Sequence, residues 1–368
     1  MFIETTPDGH PVMFRMLKPF DGHQHVRTGS MLKMVVPMVA DRFWAAIIMP
    51  NLKPPITTAD MARAYATNID EACLWGEEFH PLMTLYLTDI LDPKEVEGDC
   101  VIGVKYYPRG LTTNSDSGVA DPSALWTPGT NAYDVLRALA EVGKVLLIHA
   151  ADGVDKSGNV LDPYEQEPHF IRESLPRIRE AHPPLKISVE HLSTRVGAEY
   201  MAANGDESLG CALTPHHLLL DRRDLFKGGF NRNQFWIPIL QTADDRDALR
   251  ELAKADKPFV WLGSDSAPHP LKTKQAQCCL GGVLTAHAGI ELYAEAFEDM
   301  GALDDRFERF ASVNGPRFYN FQTSSKKIVL VREEWTVSPF MVAMSGGEEP
   351  VEPFRLGEKI RWKLFTED

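Results

Sequence analysis

The chain has 368 residues, with 38 Lys and Arg against 52 Asp and Glu and a formal net charge of −14. Hydrophobic residues make up 44% and charged residues 24%, which excludes a disordered or collagen-like chain. An acidic chain without a basic stripe also excludes a phosphate-backbone binder, while leaving room for a small anion held by one or two local arginines.

The opening segment MFIETTPDGHPVMFRMLKPF is broken by acidic and polar residues, so it does not read as a secretory signal. No run approaches the ~18 apolar residues of a membrane span. Apolar, strand-like runs follow at Met16–Val26, Trp44–Asn51, Pro81–Asp89, Val101–Pro108, Lys144–Ala150, Leu185–Leu192, Gly210–His216 and Pro258–Asp265. Several are apolar on successive residues (WAAIIMP, VLLIHA), as in strands covered on both faces of a parallel sheet. Between them, helical patterns fall at Thr58–Glu78, Ala132–Val142, Pro168–Glu180, Thr194–Asn204 and Ala243–Lys254. Eight strands alternating with helices predict a (β/α)₈ barrel, with an open doubly wound sheet as the competing arrangement. Two more helical patterns, Leu284–Met300 and Asp304–Ala311, precede a strand-like, turn-rich tail from Lys326 to Phe365. We expect residues 1–322 to form the barrel and residues 323–368 an appendage packed on it. The small, polar segment Arg109–Ala120 reads as a mobile loop.

Polar residues cluster where the apolar runs end. In Asp21-Gly-His-Gln-His-Val-Arg27 the two histidines, His23 and His25, share one face of a strand and could bind one ion; two packed or surface histidines are the alternative. His149 closes VLLIH and His191 closes KISVEH. Either alone reads as a satisfied core histidine, but four histidines at the same end of three barrel strands point to a site. Asp265 ends the last run, where it could bind metal and carry a proton or simply cap a helix. Lys105 lies inside the apolar run VIGVKYY, so it must be ion-paired, deprotonated or modified. A carbamate formed with CO₂ would make it an anionic ligand able to bridge two metals, and the residues alone do not choose among these. His216 and His217 read as packing. The five cysteines, including the adjacent Cys278 and Cys279, have no framework spacing and read as free thiols of a cytoplasmic protein.

The ordered set DGHQHVR, IIMPNLKPPITT, GVKYYPRGLTTNS, LLIHA, VEHLST, TPHHL, WIPIL, GSDSAPH and SVNGPRFY resembles the shorter, stand-alone bacterial dihydroorotases of the amidohydrolase superfamily. It runs from about Lys18 to Tyr319, with a looser echo in the tail. The resemblance implies a binuclear zinc site: His23, His25 and Asp265 on one ion, His149 and His191 on the other. Carboxylated Lys105 and a hydroxide would bridge the two. It further implies that Arg27, Asn51 and His269 hold the substrate carboxylate, that Thr112 and Thr113 tip a closing loop, and that Ile237 and Gly281 meet the pyrimidine ring. Asp265 would be the general acid and base in the interconversion of N-carbamoyl-L-aspartate and L-dihydroorotate, and the protein a homodimer. Two stretches depart from the family pattern: Ala150-Ala151 stands where relatives often carry Gly-Glu, and Gln277–Val283 is poorer in cysteine. Competing readings are a hydantoinase- or dihydropyrimidinase-like enzyme, whose substrates lack the ring carboxylate, and a non-catalytic barrel scaffold.

Overall fold

A computed structural model describes residues 2–5, 11–73, 78–344 and 347–366. Eight parallel strands form one sheet: β1 (Phe20–Gln24), β2 (Ala45–Ile48), β3 (His80–Tyr86), β4 (Val101–Tyr106), β5 (Val145–Ile148), β6 (Lys186–Val189), β7 (Leu209–Leu213) and β8 (Val260–Leu262). Each pairs with its sequence neighbour. The first and last meet through a parallel bridge between Gln24 and Ser266, with the Asp265 N–H donating to the His23 carbonyl at 2.9 Å. The expected barrel is therefore present, and it closes at the end where β1 and β8 carry their polar residues.

Alternation along the strands separates a filled interior from a site above it. Phe20, Ala45, Ile47, Val145, Leu147, Ala212 and Trp261 form one buried cluster. Two-residue steps lead upward from it: Val145 and Leu147 to His149, and Trp261 to Asp265. Space is tight here: a Cβ on Gly22 would lie 2.8 Å from the Trp261 indole, which accounts for glycine between Asp21 and His23.

Helices cover the outside, and threonines set several of their starts. Thr58, Thr130, Thr194 and Thr242 each accept a backbone N–H at the head of helices Ala59–Ala72, Asn131–Glu141, Arg195–Asn204 and Ala243–Lys254. The first of these ends before the predicted Glu78; residues 74–77 of that pattern lie outside the described residues. The predicted Leu284–Met300 helix is shorter, a tight turn at Ala286–Ala288 leading into Gly289–Asp299. The helix Gly29–Arg42 was not among the predicted elements, and it carries the penalty of Pro37 in its interior. Burial of Met31, Leu32, Val35, Val36, Val39 and Ala40 outweighs that penalty.

The first predicted strand also needs correction. Met16–Val26 is two strands, Pro11–Leu17 and Phe20–Gln24, broken at Pro19, which has no N–H to donate. Pro11–Leu17 leaves the barrel and pairs antiparallel with Lys327–Val331, between Phe2–Thr5 and Lys363–Thr366. The strand-rich tail thus shares a four-stranded sheet with the start of the chain. Two further antiparallel pairs, Phe340–Met344 with Gly347–Val351 and Trp335–Thr336 with Lys359–Ile360, complete the tail.

Candidate metal centre and substrate site

The strand ends bring the histidines and Asp265 together. Nε2 of His23 lies 3.3 Å from Nε2 of His25, and Asp265 Oδ1 lies 3.4 and 3.1 Å from these two atoms. Ligand atoms of the three residues all fall within 4.8 Å of one another, and all three are buried. Their other nitrogens are occupied: His23 Nδ1 is 2.6 Å from Glu190 Oε2, and His25 Nδ1 is 2.8 Å from Asn51 Oδ1. Those partners are acceptors, so each imidazole carries its proton on Nδ1 and turns the Nε2 lone pair toward Asp265.

A second convergence adjoins the first. His149 Nδ1 and His191 Nε2 lie 3.0 Å apart, and the His191 ring centroid is 5.1 Å from that of His23. Lys105, from β4, is fully buried, and its Nζ has no hydrogen-bond partner. Burial lowers the lysine pKa to about 8, against the opposing pull of Glu190 and Asp265. Burial holds all four histidines well below their ordinary value, as the neutral imidazole of a metal ligand requires. Lone pairs facing one another, a carboxylate beside them and an orphaned amine fit a metal centre and would be costly without a cation between them.

The backbone is strained at the site. Arg27, His191 and Asp265 have φ of 61°, 39° and 44°, a region non-glycine residues seldom occupy. The His23 carbonyl accepts from Asp265 N–H, the Arg27 carbonyl accepts from the Tyr65 hydroxyl at 2.6 Å, and Leu192 N–H donates to Ala212 just after His191. These neighbours hold the turns that aim the three side chains inward.

Around the donors lie the other expected residues. Arg27 Nε donates to the Pro268 carbonyl, and its Nη2 lies 3.1 Å from His269 Nε2, which is also 3.1 Å from the Gly281 carbonyl. Burial, then Arg27, depresses His269 to about 2, so it is neutral. Asn51 Nδ2 donates to the Thr113 carbonyl, and Thr113 Oγ1 donates to the Gly281 carbonyl at 2.9 Å. Asn114 Nδ2 donates to the Asn51 carbonyl, and Ser115 ties back to Thr112. The loop predicted at Arg109–Ala120 is therefore laid over the site and latched. Thr112, Thr113, Ile237 and Gly281 all line a narrow space of about 20 Å³ with His23, His25 and Asp265.

Sequence reasoning missed Glu190, Tyr107 and Gly282. Glu190 is buried and also accepts from the Ser188 hydroxyl; its signal was a carboxylate beside a candidate ligand at a buried strand end. Tyr107 and Gly282 line the same space, and at Gly282, with φ of 139°, a Cβ would sit 2.4 Å from the Ala267 carbonyl. Among the described residues His149 makes no hydrogen bond or ion pair with a carboxylate. His217 bonds to Thr214 and the Pro238 carbonyl, and His216 packs on Trp236. All five cysteines are free.

No family model matches the chain. The dihydroorotase of Azoarcus sp. is 42% identical over 351 residues, covering 94% of this chain and 98% of the relative. That of Halorhodospira halophila is 43% identical over 353 residues, with 94% and 97% covered. Among solved structures, the Saccharomyces cerevisiae dihydroorotase in complex with 5-fluoroorotic acid superposes with a TM-score of 0.87 at 29% identity, covering 97% of this chain and 99% of that one. The L-hydantoinase of Arthrobacter aurescens shares the fold at 16% identity and a TM-score of 0.76, covering 96% and 84%. With two-fifths identity over nearly its full length, the chain belongs to the dihydroorotase family.

Proposed function

We propose that the chain catalyses the reversible cyclisation of N-carbamoyl-L-aspartate to L-dihydroorotate. The observation that carries this reading is the Arg27–His269 pair beside the His23, His25 and Asp265 cluster. It places a guanidinium next to a metal-type donor set, as a substrate with both a carboxylate and a cyclic amide requires. In this reading His23, His25 and Asp265 would hold one Zn²⁺ and His149 and His191 the other, with Lys105, as a carbamate, serving as a further ligand to both. The lowered lysine pKa supports that bridge, because only the neutral amine attacks CO₂. When bound, the two ions supply a nucleophilic hydroxide at neutral pH and polarise the amide carbonyl.

The chain's own groups supply the rest. Arg27, with Asn51 and His269 beside it, binds and orients the substrate carboxylate through a planar fork of donors. Burial raises the Asp265 pKa, which suits a carboxylate that accepts a proton and returns it to the ring nitrogen as the amide opens. In the reverse direction Asp265 removes the ureido proton as the ring closes. Ile237 and Gly281 border the ring position, and the loop bearing Thr112 and Thr113 excludes water.

A homodimer and a cytoplasmic setting belong to the same reading, supported by the resemblance and the free thiols. So does the division into a barrel running to residue 322 and an appendage of residues 323–368, with the strands Phe2–Thr5 and Pro11–Leu17 joined to the appendage's sheet. No helix among the described residues is long and apolar enough to cross a membrane. The deciding experiment compares turnover of dihydroorotate, dihydrouracil and hydantoin by zinc-loaded, bicarbonate-supplemented protein. Preference for a neutral ring would instead make this a hydantoinase-like enzyme, and near-zero activity on all three would favour the scaffold reading.

A further inference from the structure

A second, larger cavity of about 420 Å³ adjoins the metal centre and takes no part in the chemistry above. It shares His149 and Ile237 with the catalytic space, while the opening behind Arg27 and His269 shares none of its lining. The three spaces therefore lie in sequence, with the carboxylate clamp at one end of the site and this chamber at the other. Its walls are mainly apolar, including Leu111, Ala151, Leu225 and Phe235. Phe226 and Phe230, 62% and 59% exposed with ring centroids 5.9 Å apart, stand at its mouth. In the same lining Gln241 is only 7% exposed, yet its side-chain amide has no protein partner among the described residues. The amide is not sealed from solvent, so water in the chamber meets it and a ligand's polar group can take that water's place.

We propose that this chamber is a subsite for a flat aromatic group attached to the ureido end of a carboxylate-bearing ligand, with Gln241 hydrogen-bonding a polar substituent on the ring. This rests on the dihydroorotase reading and adds a ligand class to it. A ligand held by its carboxylate at Arg27 and by its reacting carbonyl at the histidine cluster has its far end at His149 and Ile237, the wall common to both spaces. An aryl ring there leaves water and meets Leu225 and Phe235, while Gln241 accepts or donates to a ring hydroxyl.

The test is competition against N-carbamoyl-L-aspartate on zinc-loaded enzyme, using N-(phenylcarbamoyl)-L-aspartate and its 4-hydroxyphenyl analogue. The expected inhibition constants are at least tenfold below that of unsubstituted N-carbamoyl-L-aspartate, lowest for the hydroxyl compound. Ala151→Leu, which narrows the chamber, should erase most of the aryl gain while leaving kcat/KM for the parent within about twofold. Gln241→Leu should remove only the advantage of the hydroxyl. Phe226→Ala, on the exposed rim, gives a second variant that leaves the core intact and should weaken both aryl compounds by a few-fold. Normal turnover of the parent with no tighter binding of either aryl compound overturns the chamber and spares the function. An aryl gain that survives all three variants places the ring elsewhere and also overturns it. Failure to turn over the parent sinks both.

Discussion

Glu190 Oε2 and His23 Nδ1 lie 2.6 Å apart in full burial, one residue before His191 in sequence and on the opposite side of His23 from Asp265. The contact fixes the tautomer of His23 and leaves its Nε2 lone pair toward the cluster. Burial lifts the Glu190 pKa to about 7, with Lys105 pulling the other way. Replacing it by Leu should weaken metal binding by roughly ten- to a hundredfold, and Gln, which keeps an acceptor, by much less. Chelator competition reads this, and equal affinity in Glu190→Leu would remove Glu190 from any orienting role.

Lys105 Nζ has no hydrogen-bond partner, which a bridging carbamate would explain. Lys105→Ala should lose one or both metals and regain part of its activity with a short carboxylic acid. Because burial lowers the amine to about 8, its neutral fraction grows as pH rises toward 8. At fixed dissolved CO₂, carbamate uptake by metal-free protein should climb steeply from about pH 6 and keep rising through the amine's pKa near 8. Carbon-13 spectra taken with labelled CO₂ follow it directly, and a pH-independent or absent signal would count against the carbamate.

Asp265 lies against His23 and His25, and burial raises its pKa. Asp265→Asn should retain some metal while kcat falls by about two to four orders of magnitude, the usual span for a general acid–base group. Metal content and single-turnover rate, measured on the same sample, separate ligation from proton transfer. A near-normal kcat would leave the proton to another group.

Arg27 is held by Pro268 and His269 at the edge of the site. Arg27→Met should reduce kcat/KM for dihydroorotate on the order of a hundredfold, as expected for losing a charged hydrogen-bonding partner. A neutral cyclic amide should hardly notice. Equal losses on both would point to a structural rather than a substrate role.

The loop latch offers a separate readout. Thr113→Ala removes the donor to Gly281 and should raise KM by a few-fold with little effect on metal content. Zinc loss in that variant would mean that the loop supports the metal centre itself.

How far the sequence could be read depended on the range of the interactions involved. Val145, Leu147 and His149 follow the two-residue period of a strand, so the run VLLIH already places its histidine at the strand end. The barrel was legible for the same reason, through eight separate local patterns. Gly29–Arg42 was not, since Pro37 speaks against a helix and only packing on the barrel reverses it. Glu190 was missed because its meaning comes from His23, far away in the chain. The strand Pro11–Leu17 carries no trace of its partner, because a pairing with Lys327–Val331 leaves nothing to read nearby.

That same pairing sets a timetable for biosynthesis. Leu17 is among the first residues to leave the ribosome, yet its ladder partner Lys327 is made almost at the end. At about 5–20 residues per second the wait is roughly 15 to 60 s. During it, the side chains of Phe14 and Met16, buried in the finished protein, lack the neighbours contributed by the tail. An unpaired strand of this kind is a template for wrong partners. The final sheet is therefore a seal that forms last, and a chain halted before residue 327 would carry an open edge however well its barrel had folded.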